Sequence, residues 1–238
     1  MKVKYEKIKQ YMKLLDKNRW KNKVEVENIL TCPCEYKTDN IIPPVSAMVP
    51  YTQGDLWGSG WDTHAWFRFT VKPTAENTFL RIETERNGWD ADNPQFILYV
   101  NGKMVQGLDT NHRESPLKAG VEADVAIYAY TGPKIERAQL FAKTMELDLD
   151  VEGMYYDIRY PFEMLEYLNK ESVEYARIVD YLWRAVSMLD LFDLSSEDFR
   201  NSVIRARNFM KNEFYEGYCG KQEATTVCIG HTHIDCAW

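Results

Sequence analysis

Two histidines and an aspartate fall at alternate positions in the run Gly230-His231-Thr232-His233-Ile234-Asp235-Cys236-Ala237-Trp238. Half of the chain's four histidines sit in this cluster. Imidazole nitrogen and carboxylate oxygen together form a donor set that Zn2+ accepts. Residues two apart on an extended chain point the same way, so His231, His233 and Asp235 can present their side chains to one side. Ordinary polar residues are the plainer account of such a run, and its chemistry alone leaves the choice open.

The segment before the cluster has to place it. Ala224-Thr225-Thr226-Val227-Cys228-Ile229 is fairly apolar and β-branched, with no clean alternation, which predicts a central strand buried on both faces. Enzymes with parallel or barrel sheets place chemistry at the C-terminal ends of such strands. A helical segment over 155–215 is predicted upstream, as two or three antiparallel helices. Its apolar positions include Leu165, Leu168, Leu182, Ala185, Val203 and Phe209. Ser195, three residues before Asp198, is read as an imperfect capping box at the start of the last helix.

Residues 24–150 read as mostly β, in short alternating runs such as 65–71, 78–83, 96–100 and 123–130. Asn101-Gly102 between apolar runs predicts a two-residue hairpin turn, because both residues tolerate positive φ. Many short strands without helices between them favour a β-sandwich and argue against a parallel α/β sheet. At the N-terminus, Ile8, Tyr11, Met12 and Leu15 form one face of a helix over 4–17, with lysines on much of the other. The domain reading is therefore 1–23 helix, 24–150 β domain, 151–222 helical linker and 223–238 the start of a catalytic domain.

Other polar candidates are His64, Asp109, His112 and Arg113, in Gly- or Asn-marked loops where binding residues are common. Such a loop can cover a catalytic pocket or meet another subunit; structural salt bridges and a solvated loop are the plainer reading. Cys32-Pro-Cys34 is too closely spaced for an ordinary zinc knuckle. Five cysteines without a secretory signal fit reduced thiols and a cytoplasmic protein better than a disulfide framework. No run approaches the ~18 apolar residues of a membrane span. The formal charge of −7 gives no general pull toward nucleic acid or anionic lipid, and neither is expected as a partner.

Gly230-His231-Thr232-His233-Ile234-Asp235-Cys236-Ala237-Trp238 resembles the signature that opens the catalytic domain of glycoside hydrolase family 38, the α-mannosidases. The family form is His-Ser-His-(Ile/Asn)-Asp, two residues, then Trp, and Thr232 stands in the usual Ser position. Leu98-Tyr99-Val100-Asn101-Gly102 and Gly107-Leu108-Asp109-Thr110-Asn111-His112-Arg113-Glu114 also look like the N-terminal region of the family's cytosolic and bacterial branch. The resemblance covers nearly the whole chain, but only the final motif is highly specific. It implies an N-terminal β-sandwich (jelly-roll-like), then an α-helical segment, then the first strand of a truncated (β/α)7 catalytic barrel.

By that resemblance His233 and Asp235 are zinc ligands, Asp235 also meets the sugar hydroxyls, and Trp238 stacks on the mannose ring. His231 matches a motif histidine that orients the ligands without binding the metal. The implied reaction is retaining hydrolysis of α-mannosidic bonds in oligosaccharides, through an aspartate nucleophile and a second carboxylate as acid/base. Both carboxylates and two further zinc ligands are expected after Trp238, so residues 1–238 alone are expected to be inactive. Aromatic, loop-rich N-terminal surfaces leave room for a homo-oligomer.

Two rival readings stand beside this one. A metal-dependent amidohydrolase also carries His-x-His after a first barrel strand, but it gives Asp235 less reason to be there and Trp238 none. A non-catalytic carbohydrate-binding β-sandwich module would use Trp57, Trp61, Trp66 and Trp89 as a sugar platform, with core packing as the plainer account of those indoles.

Overall fold

The structure, a computed structural model, describes residues 2–36, 41–86, 88–89, 94–134, 136–220, 225 and 227–228. The chain divides into two units: Asn18–Leu149, and a second assembled from Met1–Lys17 and Asp150–Trp238.

The first unit is antiparallel sheet. Its strands are β1 (Trp20–Glu25), β2 (Leu30–Cys34), β3 (Val49–Pro50), β4 (His64–Val71) and β5 (Thr78–Glu83). After them come β6 (Gln95–Val100), β7 (Lys103–Leu108), β8 (Glu114–Pro116), β9 (Ala123–Tyr130) and β10 (Phe141–Leu147). They form a four-stranded sheet in the order β1-β10-β5-β8 and a six-stranded sheet in the order β3-β2-β4-β9-β6-β7. Alternation decides which side chains go inward. Phe67 and Phe69 of β4, Ile127 of β9, Leu80 and Ile82 of β5, and Ala142 of β10 meet in one apolar cluster shared by both sheets.

The hairpin between β6 and β7 turns at Asn101 (φ 51°) and Gly102 (φ 75°), the left-handed pair that an Asn-Gly turn requires. A register shift follows between Leu98 and Tyr99.

The second unit is helical: α1 (Lys2–Asn18), α2 (Leu149–Met164), α3 (Val173–Val186), α4 (Glu197–Phe209) and a π-helical continuation over Met210–Tyr218. Ile8 and Leu15 of α1 are buried in one cluster with Met154, Ile158, Leu182 and Val203. Tyr5 packs on Phe162 with ring centroids 4.5 Å apart. Arg207 ties α4 to α2 through Asp150 (2.9 Å) and Asp157 (3.3 Å). Gly153 makes room for that guanidinium, since a Cβ there would lie 2.3 Å from its carbon.

Two expectations are corrected here. The cap of α4 is Ser196, not Ser195: its Oγ accepts from Phe199 N at 3.0 Å, while Ser195 Oγ donates to Asp193. More broadly, a β-sandwich (jelly-roll-like) running on through helices into the first strand of a (β/α)7 barrel is not what forms. The chain is a mixed α/β fold with two open sheets, and no strand follows Leu147 among the described residues. Of the strand expected over 224–229, the described residues Thr225, Val227 and Cys228 have no regular structure and are exposed. The cause is general: a β-branched run becomes a strand only where a neighbour supplies backbone partners, and composition cannot supply one.

Candidate functional site

His231, His233, Asp235 and Trp238 lie outside the described residues. Among those described, no group of three or more His, Cys, Asp or Glu side chains could hold a metal ion. What the structure does bring together is a set of aromatic and polar side chains on the outward face of the six-stranded sheet.

Strand register builds that set. His64 on β4 lies opposite Tyr130 on β9, which lies opposite Gln95 on β6. One row along, Trp66 is opposite Tyr128, Tyr128 is opposite Ile97, and Ile97 is opposite Gly107 on β7. Cross-strand neighbours on one face sit about 5 Å apart, so the rings must touch. The His64 ring stacks on Tyr130 (centroids 4.8 Å, 17°) and on Tyr128 (5.4 Å, 19°). Beside Gly107 the floor is hollow, and a cavity of about 820 Å³ opens over these rows. Its rim is formed by Tyr36, Asp62, Asp109 and His112.

The polar groups are fixed in place. Tyr128 Oη and His64 Nδ1 share a hydrogen bond at 2.9 Å. Tyr130 Oη donates to Asp62. Asp109 Oδ1 accepts from Asn111 N at 2.7 Å and His112 N at 2.8 Å, and it lies 3.0 Å from His112 Nδ1. Burial alone would raise the Asp109 pKa, but these hydrogen bonds outweigh it and hold the carboxyl below its usual range. Burial pushes the Tyr128 phenol up to about 12. The hydrogen bond to Asp62, with burial, raises Tyr130.

Burial also lowers His64, with Asp62 opposing in part. Folding therefore weakens proton binding at this imidazole. Its contribution to stability is complete above the ordinary value of 6.5 and declines as pH falls below it. An NMR titration of the His64 ring should give a midpoint below 6.5; a midpoint at or above that value would contradict the burial argument.

Of the four loop candidates, His64, Asp109 and His112 converge on this cavity. Arg113 does not: its Nε donates to Thr110 O at 2.8 Å and its guanidinium lies over Trp89. The four tryptophans do not form a platform. Trp57, Trp66 and Trp89 are buried, and only Trp61 is exposed. Tyr128 is buried as well, and Tyr130 is half-buried. Both lie on the opposite face of β9 from Ile127 and Ala129, and that alternation of side-chain direction was the available signal.

Cys32 and Cys34 are half-buried thiols beside Trp66, and burial raises Cys32. Among the described residues no helix is long and apolar enough to cross a membrane. No protein-family model matches this chain, and no curated protein matches it.

Proposed function

We propose that this chain serves a zinc-dependent α-mannosidase of the glycoside hydrolase family 38 type. The enzyme hydrolyses terminal α-D-mannosidic linkages of oligosaccharides with retention, in the cytoplasm. One observation carries the reading: Gly230–Trp238 places two imidazoles, a carboxylate and an indole in the order His-Thr-His-Ile-Asp-Cys-Ala-Trp.

The donor chemistry fits the metal, because imidazole nitrogen and carboxylate oxygen are ordinary zinc donors. His233 and Asp235 would hold Zn2+, which when bound polarises and orients sugar hydroxyls. His231 would set the ligand imidazole's orientation through hydrogen bonding. Asp235 would also accept from a sugar hydroxyl, and Trp238 would offer an apolar face to the mannose ring. The nucleophilic aspartate and the acid/base carboxylate are not assigned to any residue of 1–238, so this segment alone is inactive in this reading.

The test is hydrolysis of an aryl α-mannoside by the whole translated product that contains this chain, before and after chelation. Activity should vanish on chelation and return with zinc. His233→Ala should lower both bound zinc and turnover. A folded, zinc-loaded product that cleaves no α-mannoside would refute the reading.

A further inference from the structure

We infer that the cavity on the outward face of β4, β9, β6 and β7 is a metal-independent binding site for a neutral saccharide.

Charge narrows the ligand first. Among the described residues the cavity is lined by two carboxylates, Asp62 and Asp109, by two imidazoles, His64 and His112, and by no lysine or arginine. A phosphorylated, sulfated or carboxylated ligand would meet repulsion from the two carboxylates there. Shape narrows it further. The His64 ring is stacked on Tyr130 and Tyr128, so the accessible aromatic surface comes from exposed Tyr36 and half-buried Tyr130. Such ring surface suits the C–H face of a pyranose.

Hydrogen-bonding capacity agrees with this. The Oδ1 of Asp109 is occupied by three donors, and no described residue bonds its Oδ2. A fixed carboxylate oxygen with open capacity accepts a hydroxyl, and Gln95 offers both a donor and an acceptor. The space exists because residue 107 has no side chain. An added Cβ there would meet only Phe96 O, at 3.9 Å, and would stand on the same face as Ile97. The volume of about 820 Å³ lies within the ~300–1,000 Å³ usual for ligand pockets.

Gly107→Phe is thus a plugging variant that leaves the core untouched. The experiment is calorimetric titration of the 238-residue chain in excess chelator with mannotriose, cellotriose, xylotriose and tetramethylammonium. At least one trisaccharide should bind, and Gly107→Phe and Tyr130→Ala should each weaken it by about tenfold or more. Matching thermal melts for the wild type and Tyr130→Ala keep the result readable if Gly107→Phe misfolds.

Binding by none of the three saccharides overturns the proposal. So does saccharide binding that both variants retain, or binding of tetramethylammonium alone. The inclusion of mannotriose rests on the mannosidase reading; the saccharide class does not. Because this titration is run without metal and the hydrolysis assay with it, failure of one leaves the other standing.

Discussion

Glu83→Ala should destabilise the Asn18–Leu149 unit by about 3–5 kcal/mol, the range seen when one partner of a buried ion pair is removed. Glu83 is only 2% exposed, yet it is charged and sits on a strand. Its Oε1 accepts from Arg81 Nε at 2.8 Å and its Oε2 from Lys143 Nζ at 2.6 Å. Arg81 reaches on to Glu114 at 2.7 Å, so β10, β5 and β8 are tied across the four-stranded sheet.

Removing the central carboxylate leaves the Lys143 side chain, 12% exposed, beside Arg81 with nothing between two like charges. Truncating Lys143 as well should recover part of the loss, because the stranded charge goes with it. Urea unfolding followed by tryptophan fluorescence measures both variants. A loss for Glu83→Ala below ~1 kcal/mol, the level of an exposed pair, would show that water already screens the cluster.

Phe67→Ala should cost a similar amount, about 3–5 kcal/mol, by a different mechanism. Phe67 is fully buried on β4, edge-on to Tyr51 (4.9 Å) and Trp57 (5.5 Å). Truncation removes the transfer free energy of the ring and leaves a cavity walled by two large aromatics that cannot follow it inward. The midpoint in urea should fall while the slope holds steady, since the surface exposed on unfolding is nearly unchanged. Phe67→Leu should lose less, because it refills part of the volume. Equal losses for Ala and Leu would mean that ring contacts, rather than volume, set the cost.

What could be read from the chain depended on the range of the interaction. The α1 stripe of Ile8 and Leu15 was visible because a helix repeats locally. The Asn101-Gly102 turn was visible because two residues determine it. Ser195 and Ser196 are adjacent and chemically alike, and only the approach of Phe199 N decides which one caps. The pairing of β1 with β10, such as Trp20 opposite Leu147, joins residues far apart in the chain, and no local pattern encodes it.

The cavity was half legible. His64, Asp109 and His112 stood out as loop polar residues, but nothing in their spacing said that they share one hollow. Tyr128, Tyr130 and Gly107 were missed because alternation tells which face a side chain takes, not what covers that face. Burial of Trp57, Trp66 and Trp89 follows the plainer account of core packing, since an indole is large enough to be worth burying wherever a core will take it. The expected strand over 224–229 failed at its described positions because β-propensity measures fit to a sheet that must already be there.

The discontinuity of the helical unit sets an order of events during synthesis. Helix α1 leaves the ribosome before the sheets do, but the side chains that cover Ile8 and Leu15 belong to residues beyond 150. At ~5–20 residues per second, α1 waits roughly 10–30 s with its apolar face open to chaperones or to aggregation. The sheets face no such delay. Residues 18–149 contain all of their own pairings, with β1 and β10 bringing the two ends of the segment side by side. That segment can close as soon as Leu147 has emerged, while the nascent helix before it is still unpartnered.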